Sequence, residues 1–222
     1  MNNPLDYIHS QIAAQHLLTH PFYLAWTRGK LSREALADYT RQYYHHVAAF
    51  PTYLSAVHAR CEDQATRKQL LGNLIDEEGG TPNHPELWLQ FAEGLGVAKE
   101  DVQTTERWPE TKELIDTFRD VCSGDTAQGV AALYAYESQI PAVEESKIAG
   151  LRKHYGFTDP KHDEYFSVHI EADREHSAAE RAMLAGYVTA ENSGSVSAAV
   201  ERVLGALWDM LSGVCRRHAI AC

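Results

Sequence analysis

The sequence predicts an all-α fold, a helical bundle, and three observations carry that prediction. Glycine and proline signals divide the chain into segments of helical rather than strand length. β-Alternation never persists beyond a few residues. Several segments open on residues suited to cap a helix. At 222 residues there is room for one domain with a substantial core, and no linker, repeat or low-complexity stretch divides residues 1–222.

In chain order, helices are expected at about 4–19, in a short piece after Pro21, and at 32–60, 63–78, 85–94, 109–122, 125–154, 160–188 and 195–217. Ser32 in "LSREAL", Asp63 in "EDQATR", Asp125 in "GDTAQG" and Ser195 in "GSVSAA" offer side-chain oxygens to the first free amides. Gly79-Gly80, Gly94, Gly124 and Gly156 fall where helices should stop. Within 125–154, Pro141 removes the amide that would bond the carbonyl of Glu137, so the helix should kink there. The segment 95–108 has the least defined pattern.

The formal net charge of −11, with no basic block to offset it, argues against nucleic acid or an anionic membrane surface as partner. No apolar run approaches the length of a membrane span, and "MNNPLDYIHS" lacks the basic and apolar regions of a signal peptide. Cys61, Cys122, Cys215 and Cys222 show no CxxC spacing, so a reducing cytoplasm is the expected compartment. The unusual count is 12 histidines.

Three places concentrate acids and imidazoles. In "VHIEADREHS", His169, Asp173 and His176 stand four and three apart, so they share one stripe of a helix at roughly 100° per residue. Glu171 and Glu175 fall on the opposite face. His162, Tyr165 and Glu180 extend the stripe and could form an outer layer, and Glu180 could replace one of the ligands. In "LLGNLIDEEGGTPNHPELW" an apolar helix ends in acids and His84 opens the next; spacing does not choose between Glu77 and Glu78. In "AALYAYESQIPAVEESK", Glu137 interrupts an otherwise apolar and aromatic stretch, where a carboxylate must coordinate or pair. Three carboxylates and three imidazoles are too many for a structural zinc and suit two first-row ions with positions left open. His45 and His46 are neighbours about 100° apart and cannot both face one site, so they read as packing or surface. Tyr39, Tyr43, His46, Phe50 and Tyr53 share a stripe that reads as an aromatic core face, with Tyr39 the one expected to touch the site.

"HPFYLAWTRGKLS", "ADYTRQYYHHVAAFPTYLSAVHARC", "DEEGGTPNHPELW", "LYAYESQIPAV" and "YFSVHIEADREHS" resemble the haem-oxygenase-like dimetal oxidases, in the branch named for the Chlamydia protein associating with death domains. The resemblance spans nearly the whole chain, and pyrroloquinoline-quinone synthase and thiaminase-like proteins share its scaffold. It implies a haem-oxygenase-like bundle of about seven helices with a dinuclear non-haem site, Fe/Fe or Mn/Fe. The ligands it implies are Glu77, His84, Glu137, His169, Asp173 and His176. It further implies an oxygenase that forms p-aminobenzoate for folate, using O2 and an external reductant. The protein's own Tyr23 would supply the ring and Lys147 the amino nitrogen, once per chain, with Tyr39, Tyr136 and Tyr165 near the site. A homodimer is the implied assembly, and the electron donor is unidentified.

The residues themselves do not select Tyr23 from 11 tyrosines, since Phe22 or Trp26 could equally face inward. Lys147 reads as a solvated lysine after Glu144-Glu145, about 15 Å along a straight helix from Glu137. Three alternatives stand beside the leading one. They are a dimetal oxidase turning over an external small acid or amine, an interaction protein, and a metal-free cofactor-biosynthesis enzyme.

Overall fold

The structure, a computed structural model, describes residues 4–221; Cys222, counted above among the reduced cysteines, lies outside the described residues. Eleven α-helices account for about four-fifths of these residues, with no strand among them, and the expected all-α bundle stands. They are α1 (Pro4–Ala14), α2 (Pro21–Thr27), α3 (Arg33–Arg60), α4 (Gln64–Glu78), α5 (His84–Gly94), α6 (Lys99–Thr104), α7 (Pro109–Cys122), α8 (Thr126–Glu137), α9 (Ile140–His154), α10 (Glu164–Tyr187) and α11 (Ser193–Arg217).

The helix count exceeds seven for local reasons. The ill-defined 95–108 contains α6, six residues long, and the expected helix 125–154 is two helices. The interruption at Ser138–Gln139 follows from Pro141, whose missing amide leaves the Glu137 carbonyl without its in-helix donor. Gln139 consolidates the break: its Nε2 donates to the Ala135 carbonyl at 2.7 Å, and its Oε1 accepts from the Leu17 amide at 2.8 Å. That second bond holds the short 3-10 turn Leu17–Thr19 that leads into α2. Two other expected spans shorten: 4–19 ends its α-helix at Ala14, and 160–188 begins with a 3-10 turn, Pro160–His162.

Ser32, Asp63 and Asp125 cap as expected, accepting from Ala35, Thr66 and Ala127 amides. Ser195 does not. α11 starts two residues earlier, after Asn192, and the Ser195 hydroxyl donates to the Asn192 carbonyl instead. Helix α5 opens with a capping box between Asn83 and Glu86, which fixes His84 in its first turn.

One continuous apolar core runs from α1 through α11. Helix α8 packs on α3, α9 and α10, and α10 also packs on α9, around its polar interior; α4 and α5 close the side where acids and imidazoles meet. Helix α2 is fastened at both ends. His20, its cap, bonds Ser212 of α11 at 3.0 Å, and Trp26 donates to the Lys147 carbonyl of α9 at 3.1 Å. Cys61, Cys122 and Cys215 are buried at separate places and no disulfide joins them. No described helix is long and apolar enough to cross a membrane.

Candidate metal centre

The three acid–imidazole places converge as two triads. Glu77 from α4, His84 from α5 and His169 from α10 form one; Glu137 from α8 with Asp173 and His176 from α10 forms the other. Within each, one potential ligand atom per residue lies within 4.8 Å of the others. The stripe at 169, 173 and 176 is shared between both triads, which is why one helix can serve two ions. Glu77 points inward and Glu78 is exposed, so the helix end resolves the pair that spacing left open.

Contacts around the first triad orient its donors. His84 Nδ1 is 2.9 Å from Glu77 Oε2, and His169 Nε2 is 3.9 Å from Glu77 Oε1. The His169 Nδ1–H donates to the Tyr165 carbonyl at 2.6 Å, which fixes the ring so that Nε2 faces the acid. Tyr165 packs on the same imidazole with its ring tilted by 35° and centroids 4.1 Å apart. In the second triad His176 Nδ1 is 3.4 Å from Asp173 Oδ1 and 3.6 Å from Glu137 Oε1. Its outer Nε2–H donates to Asp76 Oδ2 at 3.1 Å, and Asn73 holds Glu137 Oε1 at 2.9 Å.

The electrostatics favour a cation. Burial raises the Glu77 and Asp173 carboxyls, and repulsion from Glu137 adds to it in each. Burial and the His84 ring push His169 below the usual imidazole range. Burial alone would lower His176 too, yet Asp173, Glu137 and Asp76 carry it up to about 11. An imidazolium thus fills the cationic place between two carboxylates. The inward-facing Nδ1 of His84, Nδ1 of His176 and Oε2 of Glu137 are buried without a well-formed hydrogen bond. Six such donors of mixed nitrogen and oxygen type fit two first-row divalent ions, which would replace the proton and satisfy those atoms.

A cavity of about 10 Å³ separates the triads, lined by Glu77, Glu137, His169, Asp173, Tyr136, Tyr165, Val47 and Phe50. From it a series of phenols leads inward. The hydroxyls of Tyr136 and Tyr43 are 2.8 Å apart, Tyr43 stacks on Tyr39 at 5.2 Å, and the Tyr39 and Tyr23 hydroxyls are 3.3 Å apart. Burial pushes all four well above the usual phenol range, so each is neutral. Phe22, Tyr23 and Trp26 are all buried, so the choice among them left open by the sequence is a choice of position and chemistry.

Lys147 departs from the surface reading. Its side chain is 0% exposed, paired with Glu144 Oε1 at 3.0 Å, and its Nζ lies 5.6 Å from the Tyr23 ring centroid. The break after Glu137 redirects α9, so distance along a straight helix is the wrong measure. Glu144 is the member of this interior that sequence reasoning missed, with the i,i+3 acid–lysine spacing as the available signal; Tyr43, read as part of an aromatic core face, is a link in the phenol series. Glu180 is buried against Glu137 and is pushed well up by burial and by that carboxylate, a neutral outer partner rather than a member of either triad. His162 precedes α10 and sits against Phe157, outside the site, because the helical stripe does not extend into the 3-10 turn. His45 bonds the Thr105 carbonyl and His46 lies among aromatic rings, as packing residues.

The fold and the two triads define a haem-oxygenase-like helical bundle with an acid–imidazole interior suited to two metal ions. The sequence profile of the family described as iron-containing redox enzyme matches residues 37–208, and the chain belongs to that family. It is 45% identical over 210 residues to the 4-aminobenzoate synthase of Chlamydia muridarum, covering 94% of this chain and 89% of that one. Over 218 residues it is 46% identical to the 4-aminobenzoate synthase of Nitrosomonas europaea, covering 93% and 89%. A Shewanella denitrificans domain with a haem-oxygenase-like fold superposes with a TM-score of 0.80 at 19% identity, covering 96% of this chain and 90% of that one.

Proposed function

We propose that the chain forms p-aminobenzoate, the 4-aminobenzoate of its relatives' names, at a dinuclear non-haem metal centre. O2 and an external reductant are consumed, Tyr23 supplies the ring, and Lys147 supplies the amino nitrogen. The observation that carries this reading is the buried approach of Lys147 Nζ to the Tyr23 ring at 5.6 Å, joined to the triads by a series of phenols.

Glu77, His84 and His169 would hold one ion and Glu137, Asp173 and His176 the other, with iron or a manganese–iron pair supplying the redox capacity that zinc lacks. The protein's own groups do the rest. The Tyr165 carbonyl fixes the His169 imidazole from behind and Asp76 that of His176. The Tyr39 hydroxyl positions that of Tyr23, and Tyr43, stacked on Tyr39 and bonded through its hydroxyl to Tyr136, connects this pair to the cavity between the triads. Phe22, Trp26 and Trp88 exclude water from the chamber in which ring and amine meet.

The test uses pure protein loaded with iron and manganese, given reductant and O2 but no organic substrate. Product reaching, and never exceeding, one p-aminobenzoate per chain is expected. Product beyond one per chain, or none from protein shown to hold two metals, overturns the self-sacrificing reading. A second reading, a dimetal oxidase acting on an external small acid or amine, draws support from a groove of about 140 Å³ between α4 and α10. The groove is lined by Asn73, Asp76, His176 and Glu180 and opens toward the second triad.

A further inference from the structure

Glu144 is a buried acid that neither triad uses. It lies on α9 one turn before Lys147, is 2% exposed, accepts from Lys147 Nζ at 3.0 Å through Oε1, and leaves Oε2 without a partner. The other surroundings of that nitrogen are rings: Phe166, Tyr43, Tyr23, Tyr39 and Trp88 have centroids 5.1, 5.5, 5.6, 5.7 and 5.8 Å away.

Stability does not account for such a pair. Withdrawing a carboxylate and an ammonium from water costs several kcal/mol per ion, and apolar residues of similar volume often serve the fold as well or better. The low dielectric has a chemical consequence, however. Burial lowers the lysine and raises the glutamic acid, while each partner's charge opposes that change. In water roughly six pKa units hold the proton on a lysine rather than a glutamate. Inside the chamber the ion pair and its uncharged form are drawn together in energy.

We propose that Glu144 is the acid–base partner of Lys147: it holds the amine beside the Tyr23 ring and accepts its proton, exposing the nitrogen lone pair without admitting water. The inference rests on the reading of Lys147 as amino donor. In the step one Nζ–H bond breaks, one O–H bond forms on Glu144, and both charges vanish. No electron changes hands and no further reagent is consumed. The titratable groups facing the pair are Tyr23 of α2, Tyr39 and Tyr43 of α3, Tyr136 of α8, and Tyr165 and His169 of α10. Burial pushes the phenols up and His169 down, so all of them are neutral around pH 7 and Glu144 is the base at hand.

The test compares wild type with Glu144→Gln. The single-turnover rate of p-aminobenzoate formation is measured on metal-loaded protein. The charge of Lys147 is followed by its 13Cε shift in zinc-loaded, lysine-labelled protein. The variant is expected to form product about 100-fold more slowly, because its amine has lost the carboxylate that holds it beside the ring and takes up the proton it sheds on bonding carbon. Its Lys147 is expected to be a neutral amine at pH 7, because the charge that opposed burial is gone. A wild-type rate, or an unmoved Lys147 resonance, overturns the role of Glu144. Lys147→Arg separates the two levels. Product at full yield from it removes the donor reading and this inference together, whereas a dead Lys147→Arg beside a fully active Glu144→Gln removes Glu144 alone. Should Glu144→Gln fail to fold, Glu144→Asp keeps the charge and withdraws the carboxylate by one methylene. A slowing of about 10-fold is then expected, and a wild-type rate overturns the proposal.

Discussion

Trp26 donates its indole N–H to the backbone carbonyl of Lys147 at 3.1 Å, and this bond ties the helix carrying Tyr23 to the helix carrying its amine neighbour. The contact is close because residue 150, one turn further along α9, is glycine. A Cβ there would stand 2.6 Å from Trp26 Cδ1, well inside contact distance. Gly150→Ala is therefore expected to force α2 from α9 and cost about 1–3 kcal/mol. In a chain of this size that is a fall in Tm of roughly 3–10 °C. Product formation should slow even where the variant remains folded. An unchanged Tm would mean that the two helices separate freely.

Tyr23→Phe removes one hydroxyl, that bonded to Tyr39 at 3.3 Å, and leaves every member of both triads in place. Under the proposed function the variant binds two metal equivalents as wild type does and yields no p-aminobenzoate. Metal analysis beside product quantification checks both halves. Product at wild-type yield would remove Tyr23 as the source of the ring.

The division into two triads predicts separable metal sites. His84→Ala removes a nitrogen from the first and His176→Ala one from the second, so each variant should retain close to one tightly bound equivalent rather than none or two. Stripping both ions with chelator should lower the melting temperature, because the ligands bind the ions in the folded chain alone. At a free-ion concentration 100 times Kd the stabilisation is about 2.7 kcal/mol per site. Equal melting temperatures with and without metal would count against metal binding at the triads.

The sequence made the two acid–imidazole triads legible because a shared stripe of acids and imidazoles demands specific residue types at helical spacing. His169, Asp173 and His176 follow that rule directly, and Glu137 betrays itself as an acid in an apolar run. The choice of Glu77 over Glu78 needed the actual inward face of α4: each acid follows one of Leu70 and Leu71 by seven, and of those leucines Leu70 is buried while Leu71 is exposed. Lys147 and Glu144 were hidden for a different reason. An acidic, lysine-containing helix start resembles a solvated face in composition, and what buries it is the turn at Ser138–Gln139. Pro141 announced that turn, but the direction of the departing helix depends on Gln139 gripping the Leu17 amide, a contact between residues 122 apart. Ser195 and His162 failed because local pattern fixes a helix end only to within a turn.

Glu110 gives a prediction for acid stability away from the site. It stands in the first turn of α7 and accepts from Arg217 Nη2 and Nη1 of α11 at 3.0 and 3.1 Å, with Arg216 also in contact and Arg217 stacked 3.9 Å from the Trp108 ring centroid. Burial would raise its carboxyl, but hydrogen bonds from both arginines and its own backbone bring it down to about 2. An unfolded glutamate titrates near 4.3, so the folded chain binds this proton more weakly than the unfolded one. The contribution is complete above about pH 5 and declines as pH falls, disappearing once the folded carboxyl itself is protonated near pH 2. After allowance for solvent screening of the two arginines, Glu110→Gln should cost about 1–2 kcal/mol at pH 7. The gap from wild type should narrow through pH 4 and close near pH 2. Urea unfolding of both proteins across that range measures it, and a gap that stays constant down to pH 2 would show that the carboxylate charge is not what joins α7 to α11.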